Sequence, residues 1–357
     1  MKKNHFIILF FIPFFFAVNA QEISRTIKYD SLIIQRDFFK LREQINLEKN
    51  KENPTYLYYS SLTDNYFNKP KESIKKINKL LAKFPNQISD TQKAKLLLTD
   101  LNNYMRVFEY QNAYNIAEKL LLHKKYLTSV QIEDLDNNTK ILKGLLNTDI
   151  QKINLKNDVQ FNYFKDAAGL INIPVLMNQK QDNFVFDTGA NLSLVTEETA
   201  KKYNLELSNL YFDVQAITGI VVKARTGIAK NIQIGGIDFE NVVFLVMPDN
   251  SLTFAEGKYI INGIIGFPVI EQLGEIRISK NTIFIPKASK NSKLENMGLD
   301  ELTPTIQLKT FDEKVAYTFD TGAGHTILNN PFFKKFEERI KDNISKEKLN
   351  YAGAEKA

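Results

Sequence analysis

The sequence predicts a multidomain α and β protein, in which an all-α, repeat-like N-terminal domain is followed by an all-β lobe and the start of a second lobe. Residues 31–147 place apolar side chains at helical spacing and contain few glycines. After Asp149 the pattern changes to short alternating strands. The sequence Asp-Thr-Gly-Ala at residues 187–190 recurs at residues 320–323, each time after an apolar strand. This duplication indicates two related lobes.

The first twenty residues predict a secretory signal peptide. Lys2 and Lys3 precede an apolar run over residues 6–18, and cleavage is expected between Ala20 and Gln21. The run is short for a membrane span, and an uncleaved anchor is the alternative. We therefore expect an exported protein, periplasmic or secreted, without stable membrane insertion after cleavage.

Composition restricts the chemistry that is available to the chain. It has no cysteine, so disulfide frameworks, cysteine-ligated zinc and a lipid-modified cysteine are excluded. A formal net charge of +6 in 357 residues is too mild to argue for a nucleic-acid partner. Three histidines, His5, His123 and His325, are too few to predict a histidine-based metal site. We expect no metal and no cofactor.

The predicted helical domain, residues 21–150, contains a weak internal repeat with an offset of 39 residues. The repeated apolar positions are Tyr58, Leu62, Ile74, Ile77 and Leu81, followed by Leu97, Leu101, Ala113, Ile116 and Leu120. This pattern resembles tetratricopeptide-type helical repeats, and an irregular helical bundle is the alternative. Five aromatic residues at positions 56, 58, 59, 66 and 67 are predicted to be core. The domain is a candidate surface for a protein partner.

The duplicated aspartates suggest acid–base chemistry. If a pseudo-two-fold axis places Asp187 beside Asp320, the two carboxylates cannot both ionise and share one proton. The ionised member can then take a proton from a water molecule while the protonated member polarises a peptide carbonyl. The pair is therefore our candidate catalytic site.

The other motif residues are predicted to support the two aspartates. The glycines allow a sharp turn and let backbone N–H groups approach the carboxylates, the threonine hydroxyls can bond across the contact, and the alanines leave room for substrate. These residues are Thr188, Gly189 and Ala190 in the first copy and Thr321, Gly322 and Ala323 in the second. His325 is a candidate for lining a substrate pocket, with an exposed turn residue as the alternative.

These motifs resemble those of aspartic proteases. The Asp-Thr-Gly-Ala form, with the later sequence Ile264-Ile265-Gly266, is more similar to the retropepsin branch than to the pepsins. The resemblance implies that these three residues form a crossing strand behind the catalytic loop. It also implies a flap hairpin with Thr218 and Gly219 at its tip. It covers residues 159–286 and the region from about residue 304, and would make this a bacterial, exported protease.

The resemblance divides the second half of the chain into a first protease lobe at residues 158–286, a polar linker at 287–303 and a partial second lobe at 304–357. The first lobe has 79 residues from Asp187 to Gly266, whereas 37 residues follow Asp320. A matching glycine would fall near position 399. We therefore expect a fragment of a longer two-lobed enzyme, with an atrophied second lobe as the alternative.

The predicted function is that of an aspartic endopeptidase that hydrolyses extended polypeptides with a water activated between Asp187 and Asp320. One alternative is a single-lobe homodimer, in which two copies of Asp187 form the pair. Another is a non-catalytic peptide-binding or protein-binding protein, which binds through its helical repeats and retains the protease fold as a relic. No nucleic-acid partner is expected.

Overall fold

The structure is a computed structural model, and it describes residues 11–215, 221–254, 257–290 and 294–341. The chain forms two compact units, Met1–Asn103 and Tyr104–Ala357. The division falls inside a helix, whereas the sequence pattern changes from helix to strand near residue 150. The last helices of the helical region therefore belong to the same compact unit as the strands.

The helical region contains seven α-helices. They are α1 (Phe11–Ile34), α2 (Phe38–Asn46), α3 (Pro54–Tyr66), α4 (Pro70–Lys83), α5 (Asp90–Arg106), α6 (Tyr110–Leu121) and α7 (Ser129–Gly144). Local sequence explains their ends. Asn53, for example, accepts a hydrogen bond from the Tyr56 amide at the start of α3, where Pro54 occupies the first turn. Within the described residues, no helix has the length and apolar character that a membrane crossing requires.

Burial in the helical region agrees with the predicted apolar positions. Leu41, Ile77, Leu80 and Leu96 are completely buried in one core cluster. Of the ten residues in the predicted repeat, only Ile74 and Leu81 are half-buried, and the other eight are buried. Four of the five aromatic residues, at positions 58, 59, 66 and 67, are also buried, which confirms their assignment to the core. Tyr56 is half-buried and packs against the same cluster as Leu41. Similarity to tetratricopeptide repeats stays a prediction.

Within the part of the chain that the structure describes, all of the strands lie in the second unit, together with three α-helices that follow α7. The strands of the first lobe are β1 (Lys152–Asn154), β2 (Val159–Asn162), β3 (Phe164–Lys165), β4 (Ile171–Met177), β5 (Lys180–Phe186), β6 (Ser193–Thr196), β7 (Glu206–Gln215), β8 (Val221–Ile234), β9 (Ile237–Met247), β10 (Thr253–Phe254), β11 (Tyr259–Ile260), β12 (Ile264–Ile265), β13 (Arg277–Ile278) and β14 (Thr282–Ile285). Later strands are β15 (Met297–Asp300), β16 (Thr303–Thr310) and β17 (Glu313–Thr318), and the helices are α8 (Glu197–Lys202), α9 (Phe267–Gln272) and α10 (Asn330–Ile340).

The main sheet of the first lobe closes on itself. Its strand order is β1-β9-β6-β12-β5-β4-β8-β7, and β8 also pairs with β9, so the path from β9 through β5 to β8 forms a barrel. Large apolar side chains fill the interior, among them Phe184, Phe186, Phe244 and Ile265. Gly235 and Gly236 adopt φ angles of 58° and 93° in the turn between β8 and β9, a conformation that glycine accepts at little cost. The helical domain followed by this β lobe confirms the predicted fold class.

The second lobe differs from the prediction at its start. The predicted linker, residues 287–303, contains β15, which pairs with β16 in a three-stranded sheet of order β15-β16-β17. The polar composition of the linker hid this strand, whose residues Gly298 and Leu299 are buried. The predicted C-terminal helix over residues 331–349 begins as α10; its later part lies outside the described residues.

Candidate active site

The first Asp-Thr-Gly-Ala motif lies in the loop after β5, the Asp187 loop (residues 187–192). The Asp187 amide donates to the carbonyl oxygen of Ile265 at 3.0 Å, which ties the start of the loop to β12. The Gly189 amide donates to Oδ1 of Asp187 at 2.8 Å. A backbone N–H group therefore faces the carboxylate, as the glycine was predicted to allow.

The second motif forms the same turn after β17. The Gly322 amide donates to Oδ1 of Asp320 at 2.8 Å, and the amide of Ala323 approaches the carbonyl oxygen of Asp320 at 3.4 Å. The corresponding Ala190–Asp187 distance is also 3.4 Å. The duplicated sequence thus produces a duplicated backbone conformation.

Two threonines join the loops. The Thr188 amide donates to Oγ1 of Thr321, and the Thr321 amide donates to Oγ1 of Thr188, both at 3.0 Å. Each hydroxyl then donates across the contact, from Thr188 to the carbonyl oxygen of Phe319 at 2.8 Å and from Thr321 to that of Phe186 at 2.7 Å. The loops are therefore related by an approximate two-fold axis and held by four reciprocal hydrogen bonds.

The same symmetry brings the two aspartates together. A Cβ atom placed on Gly189 would lie 2.6 Å from Cγ of Asp320, and one placed on Gly322 would lie 2.6 Å from Cγ of Asp187. Each carboxylate thus occupies space that the absent side chain of the opposite glycine leaves open. Burial of Asp187 and, next in size, the nearby charge of Asp320 raise the pKa of the Asp187 carboxyl to about 6.

The two halves of the site differ in their support. Asp187 is half-buried, whereas Asp320 is exposed. On the first side, β12 pairs in parallel with β5 and antiparallel with β6, directly behind the Asp187 loop. A Cβ atom on Gly266 would lie 2.5 Å from the carbonyl oxygen of Leu192, so the close approach requires glycine. The structure thus brings the predicted crossing strand, Ile264, Ile265 and Gly266, to the back of the site.

Ser193 is a supporting residue that was not predicted from the sequence. This side chain is buried, and its Oγ accepts a hydrogen bond of 3.0 Å from the Gly266 amide. It thereby connects β6 to the end of the crossing strand. Its position at the end of the first motif, before an apolar strand, was the only sequence signal, and a polar residue at a strand start is too common to be informative.

A cavity of about 830 Å3 lies beside Asp320. Its lining is mostly apolar and comes from β16, β17, the loop after Asp320 and α10; it includes Leu308, Tyr317, Phe319, Ile327 and Phe332. His325 also lines this cavity and is exposed, as the exposed-residue alternative expects; its role in a substrate pocket stays a prediction.

The predicted flap tip, Thr218 and Gly219, lies outside the described residues. Its hairpin is formed by β7 and β8, which pair from Gln215 and Val221 at the end nearest the tip. Among the residues that the structure describes, no group of three or more His, Cys, Asp or Glu side chains is arranged to hold a metal ion.

One family model matches the first lobe, which contains the Asp187 half of the site. Residues 173–269 match a family model described as aspartyl protease. A retropepsin-like aspartic protease from Rickettsia conorii is similar in structure with a TM-score of 0.25 and 18% identity, over 38% of this chain and 90% of that protein. None of the curated proteins matches the chain. The family match spans Asp187 and Gly266, and it supports an aspartyl protease domain in this part of the chain.

Proposed function

We propose that the protein is an exported, retropepsin-like aspartic endopeptidase that uses Asp187 and Asp320 of one chain. The observation that carries the proposal is the reciprocal packing of each carboxylate against the glycine of the opposite motif. Two carboxylates held this closely share a proton, which is the state that general acid and base catalysis requires.

The reaction follows from the shared proton. The ionised carboxylate accepts a proton from a water molecule between the two groups, and the water oxygen attacks the peptide carbonyl carbon. The protonated carboxyl hydrogen-bonds the carbonyl oxygen and stabilises the negative charge that develops on it. Collapse of the tetrahedral intermediate passes a proton to the leaving amine and releases both products. The Gly189 and Gly322 amides stabilise the carboxylates throughout.

The substrate is proposed to be an extended polypeptide. An extended chain can bind as an additional strand, through main-chain hydrogen bonds with apolar pockets for alternate side chains. The apolar cavity beside Asp320 supports binding of apolar groups at this end of the site. We further propose that the N-terminal helices, which resemble tetratricopeptide repeats, contact a protein partner.

The test uses Asp187→Asn and Asp320→Asn. Both substitutions keep the shape of the side chain and remove the ionisable proton, so we expect cleavage of a peptide library between pH 4 and 8 to fall by at least about a thousandfold, as removal of a catalytic acid or base does. Circular dichroism checks that both variants are folded. Undiminished cleavage by either folded variant contradicts the proposal. Peptide binding without cleavage by the wild type would favour the non-catalytic alternative.

A further inference from the structure

Helix α9 is bonded directly to the Asp187 loop. Its first residue, Phe267, donates from its amide to the carbonyl oxygen of Ala190 at 2.8 Å. The preceding residue, Gly266, lies against the carbonyl group of Leu192. Because the second half of the Asp187 loop, from Ala190 to Leu192, contacts this short helix or the glycine before it, a displacement of α9 displaces the loop.

Arg106 holds α9 from one side. It is the last residue of α5, and its side chain is completely buried. Its guanidinium Nη2 lies 3.4 Å from Oε1 of Glu271 on α9, and the Glu271 side chain is 17% exposed. An ion pair in such a poorly hydrated place constrains both partners, because separating the two side chains loses an attraction that water does not replace.

Gln151 holds α9 from the segment between α7 and β1. Its side chain Nε2 donates to the carbonyl oxygen of Pro268 at 3.2 Å and to Oε1 of Gln272 at 2.9 Å. The Gln272 side chain in turn donates to the backbone oxygen of Gln151 at 3.2 Å. Gln151 is 3% exposed, so these bonds are shielded from water. Both ends of α9 are therefore attached to the segment that joins the helices to the lobe.

The two attachments meet behind the Asp187 loop. A small cavity of about 30 Å3 is lined by Arg106, Gln151, Glu271 and Leu192, together with neighbouring apolar side chains. Arg106, Gln151 and the loop thus share one buried environment within one compact unit. The family model that matches residues 173–269 includes the first three residues of α9 but neither Arg106 nor Gln151.

We infer that Arg106 and Gln151 are positioning residues for the proposed proteolysis, and that they act through α9 to keep the Asp187 carboxyl packed against the opposite motif. This inference rests on the proposed function. It makes the end of the helical region part of the framework of the active site, in addition to any role in binding a partner.

The test compares Arg106→Met and Gln151→Met with the wild type in the full chain. If α9 loosens, Asp187 becomes better hydrated and moves away from Asp320, so both causes of its raised pKa weaken. We expect the high-pH limb of the kcat profile to move to lower pH by about half a pH unit, a threefold change in the proton dissociation constant. We expect the same shift in the titration of the Asp187 carboxyl followed by NMR.

Two further variants separate positioning from general stability. Arg106→Lys keeps a cation for Glu271, so its pH profile should shift less than that of Arg106→Met. Arg25→Met removes an ion pair of 2.7 Å with Glu48 in the other compact unit and should leave the profile unchanged. A merely structural role would lower the amount of folded protein without moving either titration. Should Arg106→Met not fold, Gln151→Met carries the test, because it leaves no charge unpaired.

The outcomes for the inference and for the proposed function are distinct. If the wild type cleaves peptides and folded Gln151→Met keeps the wild-type pH profile and carboxyl titration, the inference is overturned and the proposed function stands. If the wild type cleaves nothing, the proposed function fails, and the NMR titration still decides whether Gln151 positions Asp187.

Discussion

At the scale of single residues, the site depends on two glycines as much as on two aspartates. Neither Gly189 nor Gly322 has a positive φ angle, so backbone conformation does not demand glycine at these positions. The demand is steric, because each Cα faces the opposite carboxylate at a distance that excludes a methyl group. The two carboxylates can therefore approach each other only while both positions lack a side chain.

Gly322→Ala should separate the carboxylates. Its Cβ atom would lie 2.6 Å from Cγ of Asp187, so one loop must move, and we expect kcat/KM to fall by about a hundredfold or more, as misplacement of a reacting group by an ångström does. Gly324→Ala is the matched control, since its Cβ atom would have its nearest neighbour, the Ala168 carbonyl oxygen, at 3.9 Å. Equal activity of the two variants in peptide cleavage assays would contradict the steric argument.

The raised pKa of Asp187 predicts how activity depends on pH. Its folded-state pKa of about 6 means that the proton shared by the pair is lost as the pH rises through this value. We expect kcat to decline above about pH 6, measured on a single cleavable peptide. A rate that is constant from pH 5 to 8 would be incompatible with a shared proton.

The same group predicts a dependence of stability on pH. The pKa of Asp187 is higher in the folded than in the unfolded state. The stabilisation that its protonation contributes is therefore complete below about pH 4 and is lost as the pH rises to about 6. We expect the free energy of unfolding in urea to fall by up to about 3 kcal/mol over this interval. Asp187→Asn lacks the titrating group and should show a smaller change; an identical pH dependence in both proteins would contradict the prediction.

At the scale of elements, the first lobe is organised by β12. This strand has only two residues, yet it separates β5 from β6 and places Gly266 behind the Asp187 loop. The sequence predicted this strand from the Ile-Ile-Gly pattern and its resemblance to a protease family. Ser193 was not predicted because its role depends on β6 and β12 becoming neighbours, although 73 residues separate Ser193 from Gly266.

Ser193→Ala should weaken the attachment of β12. It leaves the buried Gly266 amide without its acceptor, and we expect the free energy of unfolding to fall by about 1–3 kcal/mol. Ser208→Ala, a substitution in β7 outside this contact, serves as the control in urea denaturation. Equal stability of Ser193→Ala and the wild type would show that the amide does not depend on Ser193.

At the scale of the whole molecule, both motifs of the candidate site belong to one chain. The Thr188–Thr321 bonds join residues that are 133 positions apart in the sequence. This arrangement differs from the homodimer hypothesis, in which a second copy of Asp187 would occupy the place of Asp320.

A pair formed within one chain should work at any dilution. We expect the specific activity to remain constant from micromolar to nanomolar protein concentration, because no association step precedes catalysis. Sedimentation velocity over the same range would report the state of association. A loss of specific activity that follows dissociation of a dimer would favour the homodimer.

Local sequence patterns were enough to predict the order of the helical and β regions, the apolar core positions and the duplicated Asp-Thr-Gly-Ala turns. These features follow from local periodicity and from the conformations that short motifs allow. Three features became visible only in the folded chain: Asp187 and Asp320 meet within one chain, β15 forms in the polar segment before the second motif, and Arg106 and Gln151 contact α9. These contacts join residues far apart in the chain, and their energies depend on burial and close approach, which no local pattern encodes.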